Sequence, residues 1–401
     1  MVRAIHDDAP TAGTFVDTMV EESEAIVRAE AAAGTMRPSS DPRALAVLNI
    51  LIGLAVLTMP PPLARALGSE RFGPDVLANL DADGRAVHAT DLHRRHAYAD
   101  RYGLVDCCAS VTTEGELTHM GITLPNLTPA QQSVFITLGS RAIDSRLSHP
   151  FLGDAMADEV IRKTGYDVAD LPKFGAMSKV FDPRTLIFDV AVRAKKLDEV
   201  VQRFISHHPD AVVLDLGVGL DTRIFRVNPP STAGWYGIDF PEVIDLRQQV
   251  VPQRTDVHSI SADLTEPHWL DDLPSDRPAV IVADGLVPFL PQDGFVSMLN
   301  HLVDHFPSGE LAFNAYTTFA VKAAKGYLGA GSAADGMVNP GFDDPHAPEQ
   351  WAPGLTLIEE IFLTRVPENA GQTLPMRLWS RLAARSTALS RRGTVVFRYR
   401  F

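Results

Sequence analysis

The chain has 401 residues, more than the usual size of a single hydrophobic core, and two domains are therefore expected. Its 36 Lys plus Arg against 50 Asp plus Glu give a formal net charge of −14, a sign that disfavours nucleic acid and anionic lipid as partners. The only cysteines are the neighbours Cys107 and Cys108, which exclude a disulfide framework and a CxxC metal site and fit a reducing, cytoplasmic location.

The first 40 residues predict an acidic helical arm that ends near Gly34. The N-terminal MVRAIHDDAPTAG has no apolar region of the kind found in secretory signals. The longest apolar stretch, Ala44 to Met59, is shorter than the roughly 20 residues of a membrane span and contains Asn49 and Gly53. We interpret it as a buried helix and expect no membrane association.

Residues 41–128 show short helices followed by a predicted β-hairpin around Glu114 and Gly115, an order that resembles a winged helix. In DNA-binding winged helices the helix before the wing enters the major groove. That helix would be DLHRRHAYADRY, which carries Arg94, Arg95 and Arg101 but also two aspartates. The charge pattern of this helix is therefore weak evidence for DNA binding, and the net negative charge of the chain disfavours it.

From residue 129 to residue 401 predicted helices alternate with short β-rich runs. The runs are VVLDLG, GWYGID, AVIVADG, GELAFNAY, LTLIEEIFLT and TVVFRYRF. This alternation predicts βαβ units, and so an α/β domain with a mostly parallel sheet covered on both faces. The last two runs lie close together near the C-terminus, which favours an antiparallel hairpin at the sheet edge.

A glycine turn follows the first predicted strand, at Asp215-Leu216-Gly217-Val218-Gly219. Glycines allow the backbone to approach a ligand closely. Thr222 stands where the third glycine of a GxGxxG dinucleotide fingerprint belongs, which disfavours NAD. The carboxylate of Asp215 could accept hydrogen bonds from an ammonium group, such as that of a methionine moiety.

Three more acidic residues follow at the ends of successive predicted strands. Asp239, 20 positions after Gly219, could bind both hydroxyls of a ribose, or it could cap the helix that follows. Asp263, with the backbone N–H of Leu264, could recognise an adenine edge, or it could form a local Asx-turn. Asp284 ends the fourth strand, at the edge where open α/β sheets bind ligands. The ordered series, more than any single member, predicts a cofactor site.

These motifs, with others around them, resemble one known family over about two-thirds of the chain. The matching stretches are TLGSRAIDSR with LGD, RT with FD in RTLIFD, DLGVGLDTRIFRV, DFPEVIDLR, ADGLVPFLP, FPSGEL and the closing RYRF. From about Val134 to Phe401 the sequence resembles the leucine carboxyl methyltransferase family. Within that family it is most similar to the tetracenomycin-type polyketide O-methyltransferase branch.

The resemblance implies a class I methyltransferase fold that uses S-adenosylmethionine. It places Arg184 on the methionine carboxylate, Gly217 and Gly219 beneath the cofactor, Asp239 on the ribose, and Asp263 with Leu264 at the adenine; Phe240 and Asp284 complete the predicted cofactor site. Two departures concern the family pattern, since Asp284 stands where Glu is usual and Pro288-Phe289 replaces a Met-Tyr pair. For Arg184 an alternative stays open, a surface cation paired with Asp182 or Asp189.

The expected activity is methylation of an oxygen, preferably a carboxylate, of a polyketide-like or aromatic small molecule. A carboxylate with a pKa of about 4 is ionised at neutral pH and needs no general base, whereas a phenol with a pKa of about 10 would profit from one. No convincing base is found: His268, and the pair His301 and His305, are interpreted as surface residues, and no metal site is expected. Tyr316 is the predicted contact to the acceptor.

By the same resemblance, the N-terminal module is expected to serve as a dimerisation lobe and substrate lid, which implies a homodimer. Two alternatives stay open. One is methylation of a protein C-terminus, as in the branch that gives the family its name. The other is a winged-helix regulator whose C-terminal lobe senses the cofactor without turnover.

Overall fold

The computed structural model describes residues 127–166, 183–328 and 333–401, together with the isolated positions 21, 24, 25, 28, 32 and 43. The predicted arm and winged-helix-like module lie almost entirely outside the described residues. The domain boundaries at residues 40 and 128 therefore stay predictions, and so does the buried helix from Ala44 to Met59. Within the described part of the chain, no helix has the length and apolar character needed to cross a membrane.

Seven strands form one sheet. They are β1 (Val212–Leu216), β2 (Gly234–Asp239), β3 (Val257–Ser261), β4 (Ala279–Ala283), β5 (Gly309–Ala315), β6 (Thr356–Phe362) and β7 (Val395–Arg400). Their order across the sheet is β3-β2-β1-β4-β5-β7-β6. The pairs among β1 to β5 are parallel, and β7 is antiparallel to both of its neighbours. The predicted mostly parallel sheet with an antiparallel edge is confirmed.

Ten α-helices connect or cover the strands in the described residues. They are α1 (Pro129–Arg146), α2 (Ala155–Thr164), α3 (Pro183–His207), α4 (Arg223–Val227), α5 (Pro241–Val250), α6 (Gln292–His305), α7 (Thr318–Leu328), α8 (Ala347–Trp351), α9 (Leu374–Ala383) and α10 (Thr387–Arg391). The start of α1 is fixed by a capping box, in which Thr128 and Gln131 each accept the backbone N–H of the other.

Two hydrophobic clusters lie on opposite faces of the sheet, because successive side chains of a strand point to opposite sides. Val213 and Val280 join one cluster, with residues of α1, α2, α3 and α5. Val212 and Ile281 join the other, with residues of α6 and of the segment after β3. All residues of β1 and β4 are buried, as expected for central strands covered on both faces. Because β1 to β5 run parallel, their carboxyl ends lie at the same edge of the sheet.

Candidate cofactor and acceptor site

The loop after β1 is a cradle of backbone. Gly217 and Gly219 have φ values of +62° and +50°, in the left-handed region that other residues rarely adopt. A Cβ atom at Gly217 would lie 3.0 Å from the side chain of Leu286. The guanidinium of Arg247 fixes the loop from behind, donating to the carbonyl oxygens of Gly219 at 3.1 Å and Asp221 at 2.5 Å. The loop thus offers a close-approach surface without side chains.

Asp239, at the end of β2, faces this loop. Its Oδ2 accepts the N–H of Gly219 at 2.8 Å, and its Oδ1 accepts the N–H of Phe240 at 2.8 Å. Phe240 itself is the N-cap of α5, so Asp239 does not cap the helix in the usual way. Burial raises the pKa of Asp239 to about 6, although both N–H donors favour the charged form. Phe240 is 38% exposed, an open aromatic face beside the carboxylate.

Asp215 lies on the side of the sheet covered by α3, where its Oδ1 accepts a hydrogen bond from Arg223 at 2.6 Å. Both residues are buried, and burial raises the pKa of Asp215 to about 7. Arg223 also donates to Asp198 at 2.8 Å. The sequence predicts that the carboxylate of Asp215 accepts hydrogen bonds from an ammonium group. In the structure, one of its oxygens already accepts a hydrogen bond from Arg223.

The pair of Asp215 and Arg223 belongs to a larger buried ion network behind the loop. Its arginines are Arg141, Arg193, Arg223 and Arg226, and its aspartates are Asp154, Asp198, Asp215, Asp221 and Asp284. The network explains why DLGVGLDTRIFR contains so many charges within one apolar region. The sequence motifs contain most of these residues but not Arg193 or Asp198, and none was assigned to an ion pair, because their partners lie up to 91 residues apart.

Asp263 and Leu264 follow β3. The Oδ1 of Asp263 accepts both the N–H of Thr265 at 2.9 Å and its hydroxyl at 2.7 Å. This is the local turn that the sequence analysis held open as the alternative. The turn does not use the other carboxylate oxygen of Asp263, and Leu264 is buried. Recognition of an adenine edge by these two residues stays a prediction.

Asp284, directly after β4, contacts arginines of α3 and α4. Its Oδ1 accepts a hydrogen bond from Nε of Arg193 at 2.6 Å. Its Oδ2 is buried without a hydrogen-bond partner in the structure as described, 3.6 Å from NH2 of Arg223. The NH1 group of Arg193 donates to the hydroxyl of Tyr316 and to Asp189, each at 3.3 Å. Tyr316 and Asp284, predicted separately, are therefore joined through one guanidinium that was not predicted.

The other residues singled out in the sequence lie as follows. Arg184 is half-buried in the first turn of α3, and one of its alternative partners, Asp189, binds Arg193. The side chain of His268 is 83% exposed and contacts Asp271, which confirms a surface position. Nε2 of His305 contacts the carbonyl oxygen of Leu273. Among the described residues, no group of three potential metal ligands is found.

The residues at this edge fit S-adenosylmethionine. The glycine cradle leaves room for backbone contact with the cofactor, and a Cβ atom at Gly217 would reduce that room. Asp239 presents a carboxylate with lone pairs beyond those that accept Gly219 and Phe240, enough for two ribose hydroxyls. The buried Oδ2 of Asp284 accepts no hydrogen bond from the described residues, although NH2 of Arg223 lies 3.6 Å away, so it is a further anionic acceptor near the loop.

Two family models match the chain. One, described as leucine carboxyl methyltransferase, matches residues 135–303. The other, described as tetracyclin repressor-like, C-terminal domain, matches residues 1–81. The second match crosses the predicted boundary at residue 40, and the predicted winged helix is not confirmed.

Several relatives resemble the chain over long stretches. The tetracenomycin polyketide synthesis O-methyltransferase TcmP of Streptomyces glaucescens is 36% identical over 282 residues, which cover 70% of this chain and 100% of that protein. An S-adenosyl-L-methionine-dependent methyltransferase of Gibberella zeae is 29% identical over 253 residues, covering 59% of this chain and 83% of that protein. A putative methyltransferase of Frankia alni is 30% identical over 187 residues, covering 44% and 64%. The chain therefore belongs to the leucine carboxyl methyltransferase family and is an S-adenosylmethionine-dependent methyltransferase.

Proposed function

We propose that the protein methylates a carboxylate oxygen of a polyketide-like or aromatic small molecule. The observation that carries this proposal is the state of the Tyr316 hydroxyl. It accepts a hydrogen bond from Arg193, so its own proton is left to donate to another group. Burial raises the pKa of Tyr316, which keeps the hydroxyl protonated. A protonated donor can orient an anionic acceptor, but it cannot serve as the base that a phenol would need.

The chemistry divides between the cofactor and the chain. When bound, S-adenosylmethionine supplies a methyl group on a sulfonium, which an oxygen lone pair can displace in line. Tyr316 would hold one oxygen of the acceptor carboxylate and leave the other to attack. The carboxylate is already ionised at neutral pH, so no proton moves and the products are a methyl ester and S-adenosylhomocysteine. The chain contributes binding, orientation and exclusion of water.

For the cofactor we propose the contacts that the sequence predicts. Arg184 binds the methionine carboxylate, Asp239 the ribose hydroxyls, and Asp263 with the N–H of Leu264 the adenine edge. The exposed ring of Phe240 is suited to stacking on the adenine. Asp215 and Asp284 are the candidate acceptors for the methionine ammonium; an arginine already binds one oxygen of each, Arg223 on Asp215 and Arg193 on Asp284, both at 2.6 Å.

The substrate class is supported by the surroundings of Tyr316 and by one relative. Phe289 and Tyr316 pack against the buried side chains of Val321 and Met337, an apolar wall suited to an aromatic body. Phe289 belongs to the pair that departs from the family pattern, and its ring presents no hydroxyl to the acceptor. The similar protein of Streptomyces glaucescens is named for tetracenomycin polyketide synthesis.

The test is a transfer assay with methyl-labelled S-adenosylmethionine, a panel of aromatic and polyketide-derived carboxylic acids, and the phenol matched to each acid. We expect label in methyl esters, recognised by their release in mild base, together with S-adenosylhomocysteine. Asp239→Ala serves as the control with impaired cofactor binding. Label found only in base-stable phenol ethers would contradict the carboxylate assignment.

A further inference from the structure

We infer that Met337 limits the size of the aromatic acceptor that the enzyme accepts. Met337 belongs to a strap, residues 336–342, that passes over the turn after β4 and completes the apolar cluster beside Tyr316. This inference rests on the proposed function, because it names the side chain that would bound the body of the substrate. The strap is extended, with Met337 and Asn339 buried and Val338 between them 54% exposed.

One polar side chain holds the middle of the strap to the turn after β4. Asn339 is buried, and its backbone N–H donates to the carbonyl oxygen of Pro288 at 3.1 Å. Its Nδ2 donates to the carbonyl oxygen of Leu290 at 3.0 Å, and its Oδ1 accepts the N–H of Gly341 at 3.0 Å. A buried amide with these hydrogen bonds has a defined orientation. The strap is thus anchored on the turn that differs from the family pattern.

The two ends of the strap are fixed by close backbone packing. A Cβ atom on Gly336 would lie 2.8 Å from the Cβ atom of Ala130 in α1. A Cβ atom on Gly341, whose φ is +78°, would lie 2.6 Å from the carbonyl oxygen of Tyr316. The same carbonyl oxygen accepts the N–H of Phe342 at 3.2 Å. The residues between these contacts are therefore held against the rest of the domain.

The side chain of Met337 borders the space beside Tyr316. Met337 and Val321 are the buried members of the apolar cluster, and the rings of Phe289 and Tyr316 pack against them. Both rings are half-buried, so each keeps surface that a ligand can cover. The hydroxyl proposed to hold the acceptor carboxylate lies at the tip of the same Tyr316 ring. An acid bound there would therefore place its aromatic body beside the cluster.

Met337 is suited to decide how much space this cluster leaves for a ligand. An unbranched thioether fills irregular gaps, because its side-chain bonds rotate freely. Since the strap backbone is fixed, loss of the thioether arm leaves a cavity that the surroundings close only in part. One methylene more or less in an apolar pocket changes discrimination between ligands by about 10- to 200-fold. Met337→Ala should therefore favour an acceptor with an additional ring.

The test compares two acids that differ by one fused ring, naphthalene-2-carboxylate and anthracene-2-carboxylate. Calorimetry on the protein saturated with S-adenosylhomocysteine gives the ratio of their association constants, larger acid to smaller, without turnover. We expect this ratio to rise at least about tenfold in Met337→Ala. Met298→Ala is the matched control, because Met298 is also buried but lies on α6 in a different cluster. Its ratio should stay within about twofold of that of the unaltered protein.

Unchanged affinity for S-adenosylhomocysteine shows that the Met337→Ala variant keeps its fold. If that affinity is lost, Val321→Ala takes its place, because it makes a smaller change in the same cluster. The ratio should then rise at least about fivefold.

A rise of the expected size in the folded variant, without a rise in Met298→Ala, supports the inference. A ratio that hardly moves, an equal rise in the control, or binding of neither acid to any of these proteins overturns it. If the ratio rises but no acid is methylated, the proposed function is refuted and the assignment of Met337 stands. If methyl esters form while the ratio is unmoved, the reverse holds.

Discussion

The carboxylate of Asp239, at the end of β2, is held in place by two backbone N–H groups, one of them in the loop after β1. Gly219 and Phe240 each donate to one of its oxygens, so the side chain has a single orientation before any ligand arrives. Burial nevertheless raises its pKa to about 6, from an ordinary value of 3.8. Ribose hydroxyls would replace part of the lost hydration, and the cofactor would therefore stabilise the charged form.

We predict that Asp239→Ala raises the dissociation constant of S-adenosylhomocysteine at least tenfold, about 1.4 kcal/mol. The change removes both acceptor oxygens for the ribose and leaves the N–H of Gly219 without its partner. Isothermal titration calorimetry at pH 7.5 measures the constant. Leu378→Ala is a suitable control, because this side chain is 55% exposed and lies on α9. Unchanged affinity in the Asp239 variant would remove the ribose assignment.

The raised pKa of Asp239 also predicts a pH dependence of cofactor binding. A carboxyl group is neutral below its pKa, and a neutral group is a poorer acceptor for two hydroxyl donors. The association constant for S-adenosylhomocysteine should therefore be steady above about pH 6 and fall about tenfold per pH unit below it. Asp239→Asn cannot ionise and should bind weakly with no step at this pH. A step of equal size in that variant would place the titrating group elsewhere.

At the scale of elements, local patterns were sufficient for six of the seven strands; β3 was expected only from its place before Asp263, without a β-rich run of its own. Six β-rich runs were predicted from the sequence, and each contains one of the observed strands. The insertion of β7 between β5 and β6 was not predicted, since pairing between strands far apart in sequence leaves no local pattern. The acidic residues at the strand ends were likewise identified from their order along the sequence. Their actual partners, above all Arg193 and Arg223, were missed because α3 and α4 meet the sheet only in the folded chain.

The buried ion network predicts a large loss of stability when one cation is removed. Arg223 has no exposed side-chain surface and binds Asp198 and Asp215. Arg223→Met would leave both carboxylates buried without this partner, at a cost of about 3–5 kcal/mol in the free energy of unfolding. Urea denaturation measures the loss. The surface arginine Arg277, paired with Asp276, provides the comparison, and Arg277→Met should change stability by no more than about 0.5 kcal/mol. Similar losses in the two variants would mean that the network contributes little.

At the scale of the whole molecule, the net charge distinguishes between two hypotheses, an enzyme that methylates a small acid and a regulator that binds DNA. The formal net charge of −14 repels a phosphate backbone, and it repels an anionic acceptor as well. A small acid differs in that one carboxylate needs only a few donors at close range, where solvent screening is weak, and the hydroxyl of Tyr316 is proposed as one of them. A DNA duplex needs many cations along an extended surface. The match of residues 1–81 to a tetracyclin repressor-like C-terminal domain makes this distinction worth testing directly.

We predict that the full chain does not bind duplex DNA at physiological salt. Non-specific binding by DNA-binding proteins has dissociation constants of about 10⁻⁴ to 10⁻⁶ M and weakens steeply with salt, because each phosphate contact releases a counterion. Fluorescence anisotropy of a labelled 30-base-pair duplex should therefore stay flat up to about 10 μM protein in 150 mM NaCl, with and without S-adenosylmethionine. A rise that weakens with added salt would restore the regulator hypothesis for the N-terminal region. The transferase assignment would be untouched, since it depends on the sheet edge at β1 to β5 and on the family relationship.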